Sequence, residues 1–139
     1  MCMALYIASD HPIPEAVWDE SDPHLGVMRV AAGSPVRDRF SFAHVYDVVS
    51  HEGCACGFQL GQFPEFEDEE APLKRRSLTE LAAYLEERLA EGRKIELFAC
   101  WSGDESEEPE STRTLAPQDL RADTFYFREK EAILLAQHT

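Results

Sequence analysis

The chain has 139 residues, 44% hydrophobic and 29% charged, the composition of one globular domain able to bury a core unaided, and this excludes disorder over the whole length. Acidic residues outnumber basic ones 27 to 13, for a formal net charge of -14. A surface of that sign repels phosphate backbones and anionic lipid, so neither nucleic acid nor membrane is an expected partner, while a basic protein or a cation would be attracted.

From the start, Met1 to Asp10 carries no basic leader and its apolar run stops at Asp10, so a signal peptide is not expected. No later run approaches the roughly 20 apolar residues of a membrane span. The expected compartment is the cytoplasm, where cysteines stay reduced. Leu5 to Ala8 reads as a first strand. Two proline-bearing loops follow, at 10–14 and 19–23, and Leu25 to Ala31 reads as a second strand ended by Gly33-Ser34-Pro35. His44 to Ser50 is β-branched and aromatic, hence a third strand. His51-Glu52-Gly53 would turn the chain, and Cys54 to Gly61 would return as the second arm of a hairpin, made irregular by Gly57.

Glu65 to Glu70 is an acidic loop followed by Ala71-Pro72 and a Lys74-Arg75-Arg76 cluster. Ser77 and Glu80 have capping-box spacing, and Leu78, Leu81, Ala82, Leu85 and Leu89 recur at helical spacing, with Glu86, Glu87, Arg88 and Glu91 outside. The spacing predicts an amphipathic helix over 78–91, stopped by Gly92. Lys94 to Trp101 alternates with apolar groups on both faces, which predicts a central strand. Gly103 to Glu110 is a second acidic loop, and Pro117 to Leu120 suggests one helical turn. Thr124 to Arg128 and Ala132 to Ala136 would close the fold as an antiparallel pair. The expected architecture is therefore one α+β domain over 1–139, a mostly antiparallel sheet of about six short strands with the 78–91 helix packed on it.

The chemistry-bearing segment is His51 to Phe58, where an imidazole and two of the four cysteines fall within eight positions. In an extended strand residues i and i+2 share a face with Cα atoms about 6.6 Å apart, so Cys54 and Cys56 would aim at one ion. His51 would add a nitrogen, with Cys100 as a fourth ligand if its strand adjoins, or Cys2 if the first strand does. A thiolate-rich set suits zinc or copper, although structural zinc pairs usually leave two to four residues between cysteines and here one intervenes. Thiol catalysis needs a cation or a helix N-terminus to lower the pKa, and the neighbours are Glu52, glycines and apolar residues. The competing reading is that Cys54 and Cys56 are small buried hydrophobes with no cofactor.

The two acidic runs hold ten of the 27 acidic residues. Neither has the ligand pattern of a calcium loop, so each reads as a solvated loop or as a docking surface for a basic protein. His51-Glu52-Gly53-Cys54-x-Cys56-Gly57-Phe58, with Glu96 to Asp104 downstream, resembles a segment of a group of small hypothetical bacterial proteins. That resemblance implies no activity, cofactor or site residue. The expectation is a soluble acidic protein-interaction module, inhibitor- or immunity-like and more a binder than an enzyme. The alternative is a small thiolate metal protein on His51, Cys54, Cys56 and Cys100.

Overall fold

The structure is a computed structural model that describes residues 2–136. Six strands form one sheet: β1 (Met3–Ser9), β2 (Gly26–Arg29), β3 (His44–Val49), β4 (Ile95–Trp101), β5 (Ser111–Leu115) and β6 (Glu131–Leu135), in the order β2-β3-β1-β4-β6-β5. Every pairing is antiparallel except β5 with β6. One long helix, α1 (Ala71–Ala90), packs on one face, giving the expected α+β architecture.

Alternation decides which side chains meet the helix. From β1, Met3, Leu5 and Ile7 join Leu97 and Ala99 of β4 and Leu78, Leu81, Ala82, Leu85 and Leu89 of α1 in the main core. Removing each such leucine from water stabilises the fold by about 2 kcal/mol. The opposite face holds a smaller core of Ala8, Val45, Phe98 and Cys100, covered by Val36, Phe40 and Phe42 of the β2–β3 connection. Strand β4 thus carries apolar groups on both faces and sits between β1 and β6, as its sequence requires.

Three elements depart from the sequence reading. The segment 54–61 is not a hairpin arm. Gly53 does reverse the chain with a φ of 81°, and Ser50 N–H donates to Cys54 O at 2.9 Å. However, β3 is already flanked by β2 and β1, so neither of its edges can take another strand. The chain coils instead into a short 3-10 helix, Ala55–Phe58. Gly57 permits the close fit, since a Cβ there would lie 2.2 Å from Ser50 Oγ.

The closing pair fails for the same reason. Strand β6 lies between β4 and β5, which leaves no edge for 124–128. That segment crosses the helix-side face, where Phe125 and Phe127 stack edge-on at 4.9 Å. The Gln59 side-chain amide takes the place of a strand neighbour, bonding Phe127 N and O at 2.8 Å each. Finally, α1 begins seven residues before the expected start. Pro72 fits the first turn, where its missing N–H would have no partner. Asp68 ties that turn down, accepting from Glu70 N at 2.9 Å and pairing with Lys74 Nζ at 2.6 Å. Ser77 is consequently an interior helix residue rather than a cap, and Arg88, expected outside, is buried over the Tyr84 ring at 4.7 Å. The Pro117 turn is present as a 3-10 helix, Pro117–Arg121. No helix among the described residues is long and apolar enough to cross a membrane.

Candidate functional site: a thiol cluster beside an acidic cleft

The Gly53 turn and the 3-10 helix after it place Cys54 and Cys56 against the beginning of β1. There the sulfurs of Cys2, Cys54 and Cys56 all lie within 4.8 Å of one another. Cys2 is exposed and the other two are half-buried, and all three are free thiols. Two bonds fix the arrangement: Met3 N–H donates to Cys56 Sγ at 3.3 Å, and Ser102 N–H donates to Cys2 O at 2.8 Å. Burial first, then the Cys56 and Cys2 sulfurs, push the Cys54 thiol up to about 12, against a backbone hydrogen bond from Cys56 that pulls it down. At neutral pH that thiol is protonated and a poor nucleophile.

The other two residues singled out with them lie elsewhere. Cys100 is buried on the opposite face of the sheet with Phe98 and Val45. Burial, then Glu105 and Asp104, push its thiol up to about 12. His51 is buried under α1. Its backbone N–H donates to Ser77 Oγ at 3.1 Å, and Nδ1 is hydrogen-bonded to the same oxygen at 2.7 Å. The other ring nitrogen, Nε2, has no hydrogen-bond partner among the described residues and sits 3.9 Å from Glu52 Oε1. Burial first, and then the Arg76 charge, hold the imidazole below its ordinary value of 6.5, so the ring is neutral.

A serine, a histidine and a glutamate in succession invite comparison with a nucleophile–base pair. Ser77 is 0% exposed, however, and both its hydrogen bonds go to His51. No substrate atom could reach that oxygen, and the pair serves to tether the turn to the helix.

Next to the thiols opens a cleft of about 590 Å³, within the usual size range of binding pockets. Leu60, Phe63, Phe66 and Trp101 supply its apolar lining, and Cys56 and Met3 form part of its floor. Glu52, Glu67, Asp68, Glu69 and Glu70 supply its acidic side. Phe63 is 60% exposed and Phe66 70%, unusual for rings that nothing covers. Lys74 is the single basic lining residue and is already paired with Asp68. Burial, then the neighbouring Glu70 carboxyl, raises the Glu52 pKa, so these two groups crowd each other's negative charge.

The second acidic loop differs. Arg39 pairs with Glu108 at 2.9 Å, Lys130 with Glu110 at 3.4 Å, and Tyr6 OH donates to Glu105 at 3.3 Å. Two of its five carboxylates are in ion pairs and a third accepts a hydrogen bond, whereas Glu67 and Glu69 at the cleft have no ion-pair partner among the described residues.

The thiol pair was legible in the sequence, and Cys2 was conceivable as its neighbour. The cleft itself is not legible in the sequence: Phe66 falls in the 65–70 run, which reads as a solvated loop or a docking surface, and Phe63 lies just before that run with no role of its own. Two aromatic rings spaced three apart at the start of that charge are the signal that marks it. Comparisons with protein-family models, with curated proteins and with solved structures find no significant match to this chain.

Proposed function

We propose that the protein is an interaction module that takes a basic, partly apolar segment of a partner protein in the acidic–aromatic cleft, as an inhibitor or immunity protein does. The observation that carries this reading is the pairing of exposed Phe63 and Phe66 with carboxylates that the chain itself leaves unanswered. Lysine or arginine would relieve the crowding of Glu52 and Glu70 and could lie over an aromatic face, while neighbouring apolar side chains cover the rings. The net charge of -14 would speed encounter with such a partner and make it salt-sensitive.

The test is a titration with a short peptide of alternating lysine and leucine, followed by Trp101 fluorescence in a Trp18→Phe background. Saturable binding should weaken about tenfold or more as sodium chloride rises from about 50 to 300 mM. It should also be lost in the double variant Glu67→Lys, Glu69→Lys. Equal binding of a glutamate–leucine peptide, or no saturable signal with either, would rule the docking role out.

A further inference from the structure

Beyond the docking reading, and independently of it, we infer that Cys2, Cys54 and Cys56 are the three ligands of a site for a soft closed-shell metal ion, monovalent copper in trigonal thiolate coordination. The donor atoms already converge from two distant parts of the chain, with all three sulfurs within 4.8 Å of one another. Metal–sulfur bonds of about 2.3 Å need sulfurs about 3.8–4.0 Å apart, so side-chain rotation of well under an ångström per residue completes the site. Disulfide formation would need a far larger approach, to about 2.05 Å.

The surroundings favour this ion over the commoner ones. Thiolates select copper(I) and zinc over magnesium or calcium, which take oxygen ligands. Structural zinc asks for a fourth protein ligand, and no histidine or carboxylate among the described residues joins the group. His51, the nearest imidazole in sequence, already has Nδ1 bonded to Ser77. Copper(I) is content with three sulfurs. The exposed Cys2 gives the ion a route in, and half-buried Cys54 and Cys56 would shield it from oxygen and water afterwards. Strand β1 is paired with β4 from Met3 onward and Ser102 N–H donates to Cys2 O, so the backbone next to Cys2 is fixed before any metal arrives.

Loading is an exchange of partners without electron transfer. Three S–H bonds break, three copper–sulfur bonds form, three protons leave to solvent, and copper stays monovalent throughout. Affinity should therefore fall as pH falls.

The experiment is an anaerobic competition of the intact protein against a colour-forming copper(I) chelator, with X-ray absorption at the copper edge as a readout that needs no variant. One equivalent of copper(I) should leave the chelator, with three sulfurs and no nitrogen in the first coordination sphere. Cys2→Ser, Cys54→Ser and Cys56→Ser should each weaken binding by about 100-fold or more, while Cys100→Ser and His51→Gln leave it unchanged. Zinc binding through the same three thiols in preference to copper(I) would overturn the copper assignment. Failure to compete for copper(I) or zinc at micromolar protein would overturn the site. So would a loss in Cys100→Ser as large as in Cys54→Ser. The peptide titration does not use the metal, so a negative result in either experiment leaves the other standing.

Discussion

Ser77 carries two jobs with one oxygen: it receives the backbone N–H of His51 and holds the imidazole by Nδ1, so that the Gly53 turn is pinned to the interior of α1. Both partners are buried, and their loss cannot be made good by water. Ser77→Ala should therefore cost about 2 kcal/mol in urea unfolding. The neutral state of His51 has a pH signature of its own. Its folded pKa lies below the ordinary 6.5, so as pH falls through 6.5 the unfolded chain takes up a proton that the folded chain refuses. This contribution is fully present above 6.5 and is lost progressively below it, down to the folded pKa. Carboxylates titrate in the same region, so the informative quantity is the difference between the wild type and His51→Gln. That difference should shrink between pH 7 and pH 5.5, and a constant gap would show that His51 is not held neutral.

Among the elements, β5 is the least self-sufficient. It is an edge strand, largely exposed, and its neighbour β6 begins with Glu131, which is 0% exposed. Arg113 of β5 answers that buried carboxylate with an ion pair, donates through Nη2 to Tyr126 O at 3.2 Å, and lies over the Phe125 ring at 5.3 Å. Arg113→Ala strands the charge and should destabilise the fold by about 3 kcal/mol. Arg113→Ala combined with Glu131→Gln should recover part of that loss, since the stranded charge is gone. Equilibrium unfolding of the three variants checks both statements. The same elements explain where sequence reading stops. The stripe from Leu78 to Leu89 and the two apolar faces of β4 are local patterns, and both were legible. Whether a strand-like segment finds a free edge is a property of the whole sheet. Cys54–Gly61 and Thr124–Arg128 carry strand-like residues but adjoin strands whose edges are taken. Ser111–Leu115, with alternating threonines, takes the edge that Thr124–Arg128 was expected to fill. The helix start was misplaced because Ser77 and Glu80 have cap spacing while serving other partners.

For the molecule as a whole, the net charge of -14 sets up self-repulsion that only part of the surface answers locally. Added sodium chloride should raise the thermal midpoint between about 10 and 150 mM, by screening that repulsion before it weakens the ion pairs. A midpoint that falls instead would mean that the surface pairs outweigh it. Of the candidate site, the two cysteines one residue apart were visible in the chain. Their meeting with Cys2 is only a conditional possibility in the chain, because it depends on where β1 runs in the sheet.

That central position of β1 has a temporal side. Strand β1 precedes the other five in sequence and pairs with β4 across a long stretch of chain, from Met3 opposite Trp101 to Ser9 opposite Ile95. Until Ile95–Trp101 has emerged from the ribosome the β4-facing edge of β1 stays bare, and the apolar run Leu5 to Ala8 must wait in the company of β3 alone. Synthesis that stalls in the acidic stretch before α1 would leave a nascent chain with an unfinished sheet and nothing to cover it.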